Sequence, residues 1–98
     1  MVFILINETR TGLTREDYKA LGEMMSNFYE NIPAGIRLVG DYATLDKTKN
    51  FAILEADTLE DINALKAPYE KYVSIQVIQV EPTAYFSNIR KNEERGQA

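Results

Sequence analysis

The chain has no histidine, no cysteine and no tryptophan in its 98 residues. Without histidine there is no His-bearing catalytic triad, no His-ligated haem and none of the common zinc sites. Without cysteine there is neither a disulfide framework nor a thiolate metal site. Long apolar runs are missing too: the longest, Val2 to Ile6, is far too short to span a bilayer. Met1 leads into that run with no basic segment or small-residue cleavage site, so the expected location is cytoplasmic, with no membrane partner. Basic charge is scarce relative to acid. Eleven Lys and Arg against 15 Asp and Glu leave a net charge of −4, a surface that repels phosphate backbones unless a local basic patch outweighs it. Lys47 and Lys49 flank a turn, and Arg90, Lys91 and Arg95 stand beside Glu93 and Glu94; both groups read as solvated surface charge. Carboxylate-only magnesium or calcium binding is left open chemically, but no acidic loop has the ligand spacing it needs. No metal or other cofactor is expected.

What is present is ordinary globular material. Apolar residues make up 45% of the chain, which argues against disorder. A single domain of this size buries roughly 60–70% of the surface of its unfolded chain, so a partner would help its core. Val2 to Glu8 is rich in β-branched and aromatic residues and predicts a strand with two apolar faces. Thr14 predicts a helix N-cap, with Asp17 completing a capping box. Tyr18, Leu21, Met25, Phe28, Tyr29 and Ile32 then recur at helical spacing and predict a core-packing stripe, ended by Pro33-Ala34-Gly35. Ile36 to Leu45 and Phe51 to Ala56 predict a hairpin around the polar loop Asp46 to Asn50. Thr58 predicts a second N-cap for a helix carrying Leu59, Ile62, Leu65, Tyr69 and Tyr72, with Pro68 breaking it near Lys66. Val73 to Glu81 is the last strand, stopped by Pro82. Tyr85, Phe86 and Ile89 follow, too apolar for a free tail, and Lys91 onward is polar and expected to fray.

The order β-α-β-β-α-β is the ferredoxin-like, split βαβ arrangement, an α+β fold. Two helices cover one face of a four-stranded antiparallel sheet and leave the other open. Small Ala52 and Ala56 suit close helix packing, which puts Phe51, Ile53 and Glu55 on the open face. Phe3, Leu5 and Asn7 are expected to join them there. Such a contiguous apolar patch marks an interface or a binding groove.

Two segments carry a resemblance. Gly35-Ile36-Arg37-Leu38-Val39-Gly40-Asp41-Tyr42 and Phe51-Ala52-Ile53-Leu54-Glu55-Ala56-Asp57 resemble a family of small uncharacterised microbial domains in the dimeric α+β barrel superfamily. The likeness extends over residues 1–82 and leaves 83–98 as a C-terminal arm and tail. It implies a homodimer whose two sheets pack face to face. The superfamily includes cofactor-free monooxygenases, muconolactone isomerase-like enzymes, haem-dependent chlorite dismutases and plain ligand binders, so fold alone does not choose a function. A histidine is common in this family just after the aromatic residue of strand two; this chain has Ala43 there.

If Leu45 faces Phe51 across the loop, Asp41 falls opposite Glu55, with Arg37 on the same face. Two carboxylates and a guanidinium facing an apolar barrel make a candidate small-molecule site, with Phe3 and Phe51 as apolar lining and Asn7 and Gln76 as further hydrogen-bonding groups. The same residues also read as a structural ion pair at a sheet edge. The function expected is a homodimer that binds a small organic molecule between its sheet faces, as a ligand binder or as a cofactor-independent oxygenase or isomerase-like enzyme. The alternative is a non-catalytic structural or regulatory dimer. A third reading, an RNA-binding domain of the same strand order, finds Phe51 and Ala52 in place but Asn50, Ile53 and Ala56 where its glycine and rings belong, so no nucleic-acid partner is expected.

Overall fold

A computed structural model describes residues 1–94. Arg95 and the end of the C-terminal tail lie outside the described residues. The elements are β1 (Val2–Thr9), α1 (Arg15–Glu30), β2 (Ile36–Ala43), β3 (Asn50–Ala56), α2 (Leu59–Lys66), a 3-10 turn (Ala67–Tyr69), β4 (Val73–Val80) and α3 (Ala84–Glu94). Local chemistry accounts for most boundaries. Thr14 Oγ1 accepts from the Asp17 backbone N–H at 3.1 Å, and an Asp17 carboxylate oxygen accepts from the Thr14 N–H at 2.9 Å. This capping box starts α1, and the Thr14 N–H, first among its causes, holds the Asp17 carboxyl below its ordinary value. Thr58 caps α2 in the same way, accepting from the Asp61 N–H at 3.1 Å. Pro68 cannot donate to a helical ladder, so α2 stops at Lys66 and tightens into the 3-10 turn. Past the end of α1 the turn needs a left-handed residue, and Gly35 supplies it with φ +85°.

The four strands form one antiparallel sheet in the order β2-β3-β1-β4. Sheet and element order together make the α+β, ferredoxin-like fold. The core lies between sheet and helices, where Phe3, Leu54 and Ile62 are fully buried with Leu5 and Ala56 beside them. Phe3 and Leu5 are therefore on the helix-covered face, not the open one. Val2 to Ile6 is apolar on both faces, so alternation could not choose between them; pairing of Phe3 with Leu54 does. The open face carries Val2, Ile4 and Ile6 instead, beside Phe51, Ile53 and Glu55 of β3, which lie where the alternation of β3 put them.

Beyond β4 the chain differs from expectation in one respect. The polar stretch after Arg90 stays helical to Glu94. Tyr85, Phe86 and Ile89 of α3 have exposures of 77%, 49% and 38% in the single chain. No helix among the described residues is long and apolar enough to cross a membrane.

Candidate functional site

The hairpin of β2 and β3 decides where the candidate residues go. Its loop is anchored by Asp46, whose Oδ1 accepts from Thr44 Oγ1 at 2.7 Å and from the Thr48 N–H and Oγ1 at 3.0 and 2.8 Å. These bonds, the Thr44 hydroxyl first, hold the Asp46 carboxyl down at about 2. Because the loop closes on itself from Thr44 to Lys49, Ala43 pairs with Asn50 and Tyr42 with Phe51, so Leu45 does not reach Phe51. Further along, Leu38 pairs with Leu54 but Gly40 with Ile53, which leaves Val39 as one extra residue in β2. The bulge resets the alternation. Arg37 stays on the open face opposite Glu55, while Asp41 falls opposite Ala52 on the helix-covered face. Gly40 lets two side chains close over the bulge: a Cβ there would meet the Tyr42 ring at 2.9 Å and the Ile53 side chain at 3.3 Å, and both would have to shift.

Arg37, Asp41 and Glu55 thus do not share one face. Arg37 and Glu55 form an ion pair at 3.6 Å, with side chains 72% and 41% exposed; exposed pairs of this kind contribute about 0–1 kcal/mol. Phe51 lies on the same open face, next to Ile6, with Gln76 on the other side of Ile6. Phe3 is buried in the core. Of the expected set, Arg37 and Glu55 meet on the open face, while Asn7 and Asp41 come together on the other, linked through Asn50.

They meet on the helix side through two residues that pattern alone had placed elsewhere. Asn7 pairs with Asn50 across β1 and β3 and donates its Nδ2 to Asn50 Oδ1 at 2.9 Å. Asn50 Nδ2 donates to Asp41 Oδ1 at 2.6 Å and to the Tyr42 carbonyl at 3.2 Å. From α1 above, the Tyr29 hydroxyl donates to Asp41 Oδ2. That bond, then burial and the charge of Asp41, pushes the Tyr29 phenol up to about 12. The orientation of both amides follows from Asp41. A carboxylate only accepts, so Asn50 turns its NH2 toward Asp41 and its oxygen toward Asn7, which must turn its own NH2 toward Asn50. The Asn7 oxygen is left buried without a partner, an arrangement that costs about 1–3 kcal/mol.

This network forms the polar end of a cavity of about 320 Å³ between helices and sheet. The cavity exists because α1 does not settle onto the sheet. Of its apolar stripe only Leu21 is buried; Tyr18, Met25, Tyr29 and Ile32 stay exposed, and Phe28 is half-buried. The Tyr69 hydroxyl, donating to the Met24 carbonyl at 3.0 Å, ties α1 to the 3-10 turn instead. Burial raises the Tyr69 phenol above its ordinary value. Leu5, Leu38 and Leu54 of the sheet, with Leu21, Phe28 and Leu65 of the helices, make the apolar walls. Lys47, Lys49 and Lys66 also border the space, but Lys66 is bound to Glu70 at 2.6 Å. Among the described residues no three acidic side chains gather closely enough to hold a metal ion.

Tyr29 and Asn50 were the residues missed. Tyr29 sits at helical spacing with true core residues, and Asn50 ends a polar loop, so neither position differs in pattern from its neighbours. The usable signal was chemical: Asn7 and Asn50 are amides directly flanking the apolar runs Val2 to Ile6 and Phe51 to Leu54.

The open face is a second feature. Its rows run Phe51, Ile6 and Gln76; Ile53, Ile4 and Ile78; and Glu55, Val2 and Val80, an apolar centre flanked by Glu55 and Gln76 in which no side chain is buried.

Residues 1–92 match the profile of a family described as a domain of unknown function (DUF3303), a match that runs through most of α3. No curated protein matches the chain.

Proposed function

The chain belongs to the DUF3303 family, a domain of unknown function, and we propose that it is a homodimeric binding domain for a small, largely apolar organic molecule. The ligand lies in the cavity between the helices and the sheet, not against the open sheet face. The observation that carries this reading is the cavity itself: about 320 Å³ with leucine and phenylalanine walls and a convergent polar end of Tyr29, Asp41, Asn50 and Asn7. Sites for small molecules have this size and build, apolar walls with a few fixed polar groups. Binding fits the polar end better than acid–base catalysis does. The Tyr29 proton is already committed to Asp41 and its phenol titrates near 12, far from the neutral range where a general acid or base works best.

The homodimer rests on the open face. An uncovered patch of Ile4, Ile6, Ile53 and Ile78 with Phe51 at one end favours burial against a second copy. The resemblance of Gly35–Tyr42 and Phe51–Asp57 to microbial dimeric α+β barrel domains points the same way.

Methyl-labelled protein tests the cavity reading, because the two faces carry different residues. Leu5, Leu21, Leu38, Leu54 and Leu65 line the cavity, whereas Ile4, Ile53 and Ile78 lie on the open face. A screen of small aromatic and aliphatic compounds should shift the leucine methyl signals and leave those three isoleucines in place. If no compound moves the leucines, the binding reading fails and a structural dimer module remains.

A further inference from the structure

We infer that the group this cavity accepts at its polar end is a hydrogen-bond donor, a hydroxyl or an amine on an apolar body, and not a carboxylate or a phosphate. The inference rests on the cavity reading above and sharpens it. It follows from the direction of the bonds at that end. Asn7 donates to Asn50, Asn50 donates to Asp41, and Tyr29 donates to Asp41. The chain of donors runs from Asn7 through Asn50 to the Asp41 carboxylate, where the Tyr29 hydroxyl also ends, and the second Asn50 N–H goes to the Tyr42 carbonyl. The bonding capacity left over at this end is mostly on oxygens, the remaining lone pairs of Asp41 and of the Tyr29 hydroxyl, against one spare N–H of Asn7; the unpartnered Asn7 Oδ1 is itself buried.

The network has no reversed form while Asp41 is a carboxylate. Turning the Asn50 amide would set its oxygen against Asp41, and turning the Asn7 amide would set two oxygens against each other. Among the described residues no cation lies within ion-pair distance of Asp41 to change that balance; the ion pairs are Arg37–Glu55 and Lys66–Glu70. Lys47 and Lys49, in the exposed hairpin loop, border the same space and would favour an anion, so the two ends of the cavity make opposite demands. The polar end wins because its groups, on four elements, are held by hydrogen bonds to one another, whereas the two lysines have no fixed partner holding them over the cavity.

One ring with three substituents separates the demands. Naphthol offers a donor, methoxynaphthalene keeps the oxygen without the hydrogen, and naphthoate offers an anion. Titrated into the methyl-labelled full chain, naphthol should shift the cavity leucines and bind at least about ten-fold more tightly than either of the others, since a site built around a donor rejects the analogue that lacks it. Side-chain amide signals of Asn7 and Asn50 should move with naphthol and not with methoxynaphthalene. Asp41→Ala should bring naphthol down to the affinity of methoxynaphthalene; the amide signals of the unaltered chain give the same answer if that variant folds poorly. Methoxynaphthalene binding as tightly as naphthol, or naphthoate binding most tightly, overturns the donor rule and leaves the cavity reading standing. No shift of the cavity leucines with any of the three overturns both.

Discussion

Tyr29 of α1 donates its hydroxyl hydrogen to Asp41 of β2, so one hydrogen bond ties the helix layer to an edge strand of the sheet beside the cavity. Tyr29→Phe removes that bond and keeps the ring. The expected loss is about 0.5–1.5 kcal/mol, the net contribution of one such bond, read as a lower urea midpoint. Since Asp41 raises the phenol from 10 to about 12, the bond's contribution is complete below pH 10 and disappears as pH climbs toward 12. A stability difference between the two proteins that stays constant across that alkaline window would contradict the assignment.

Phe51→Glu places a charge beside Ile6 on the face proposed to be shared by two copies. A carboxylate buried there without a partner is costly enough to separate them. Light scattering over a concentration series should give twice the chain mass for the unaltered protein and the single mass for the variant. An unaltered chain already monomeric at micromolar concentration removes the homodimer from the proposal.

Asp46 should titrate far below an ordinary aspartate. Three hydrogen bonds from Thr44 and Thr48 favour its charged form and lower it from 3.8 to about 2. The loop is therefore at full strength above pH 3.8 and loosens as pH falls through about 2. Carboxyl carbon shifts followed by NMR check this directly. A midpoint near 3.8 would mean that the loop is open in solution.

Lys47 holds a left-handed backbone, φ 66°, at the tip of the same loop. A residue with a Cβ loses about 1–2 kcal/mol there relative to glycine, while glycine gives back roughly 0.5–1 kcal/mol through its freer unfolded chain. Lys47→Gly should therefore stabilise the protein by up to about 1 kcal/mol, a rise of a few degrees in Tm. A fall in Tm would show that the lysine side chain makes a contribution that its backbone angle hides.

Whatever depends on neighbours in the chain was legible in the sequence. Thr14 and Thr58 cap their helices because each hydroxyl needs only an N–H three residues on. Pro68 ends α2 because it lacks that N–H, and the order of the elements implies the sheet. The small side chains of Ala52 and Ala56 mark the helix-covered face of β3, and burial agrees. What tertiary structure alone decided are the positions where two arrangements are locally equal in energy. Val2 to Ile6 is equally apolar on both sides, and only pairing with β3 and cover from α2 bury Phe3 rather than Ile4. Asp41 counts onto the open face by strict alternation, yet one extra residue at Val39 turns it inward beneath Tyr29. A period of two survives only as long as the ladder is unbroken, and the cost of breaking it at Val39 is set by the strand alongside, the bonds made by the loop and the Tyr42 ring over Gly40.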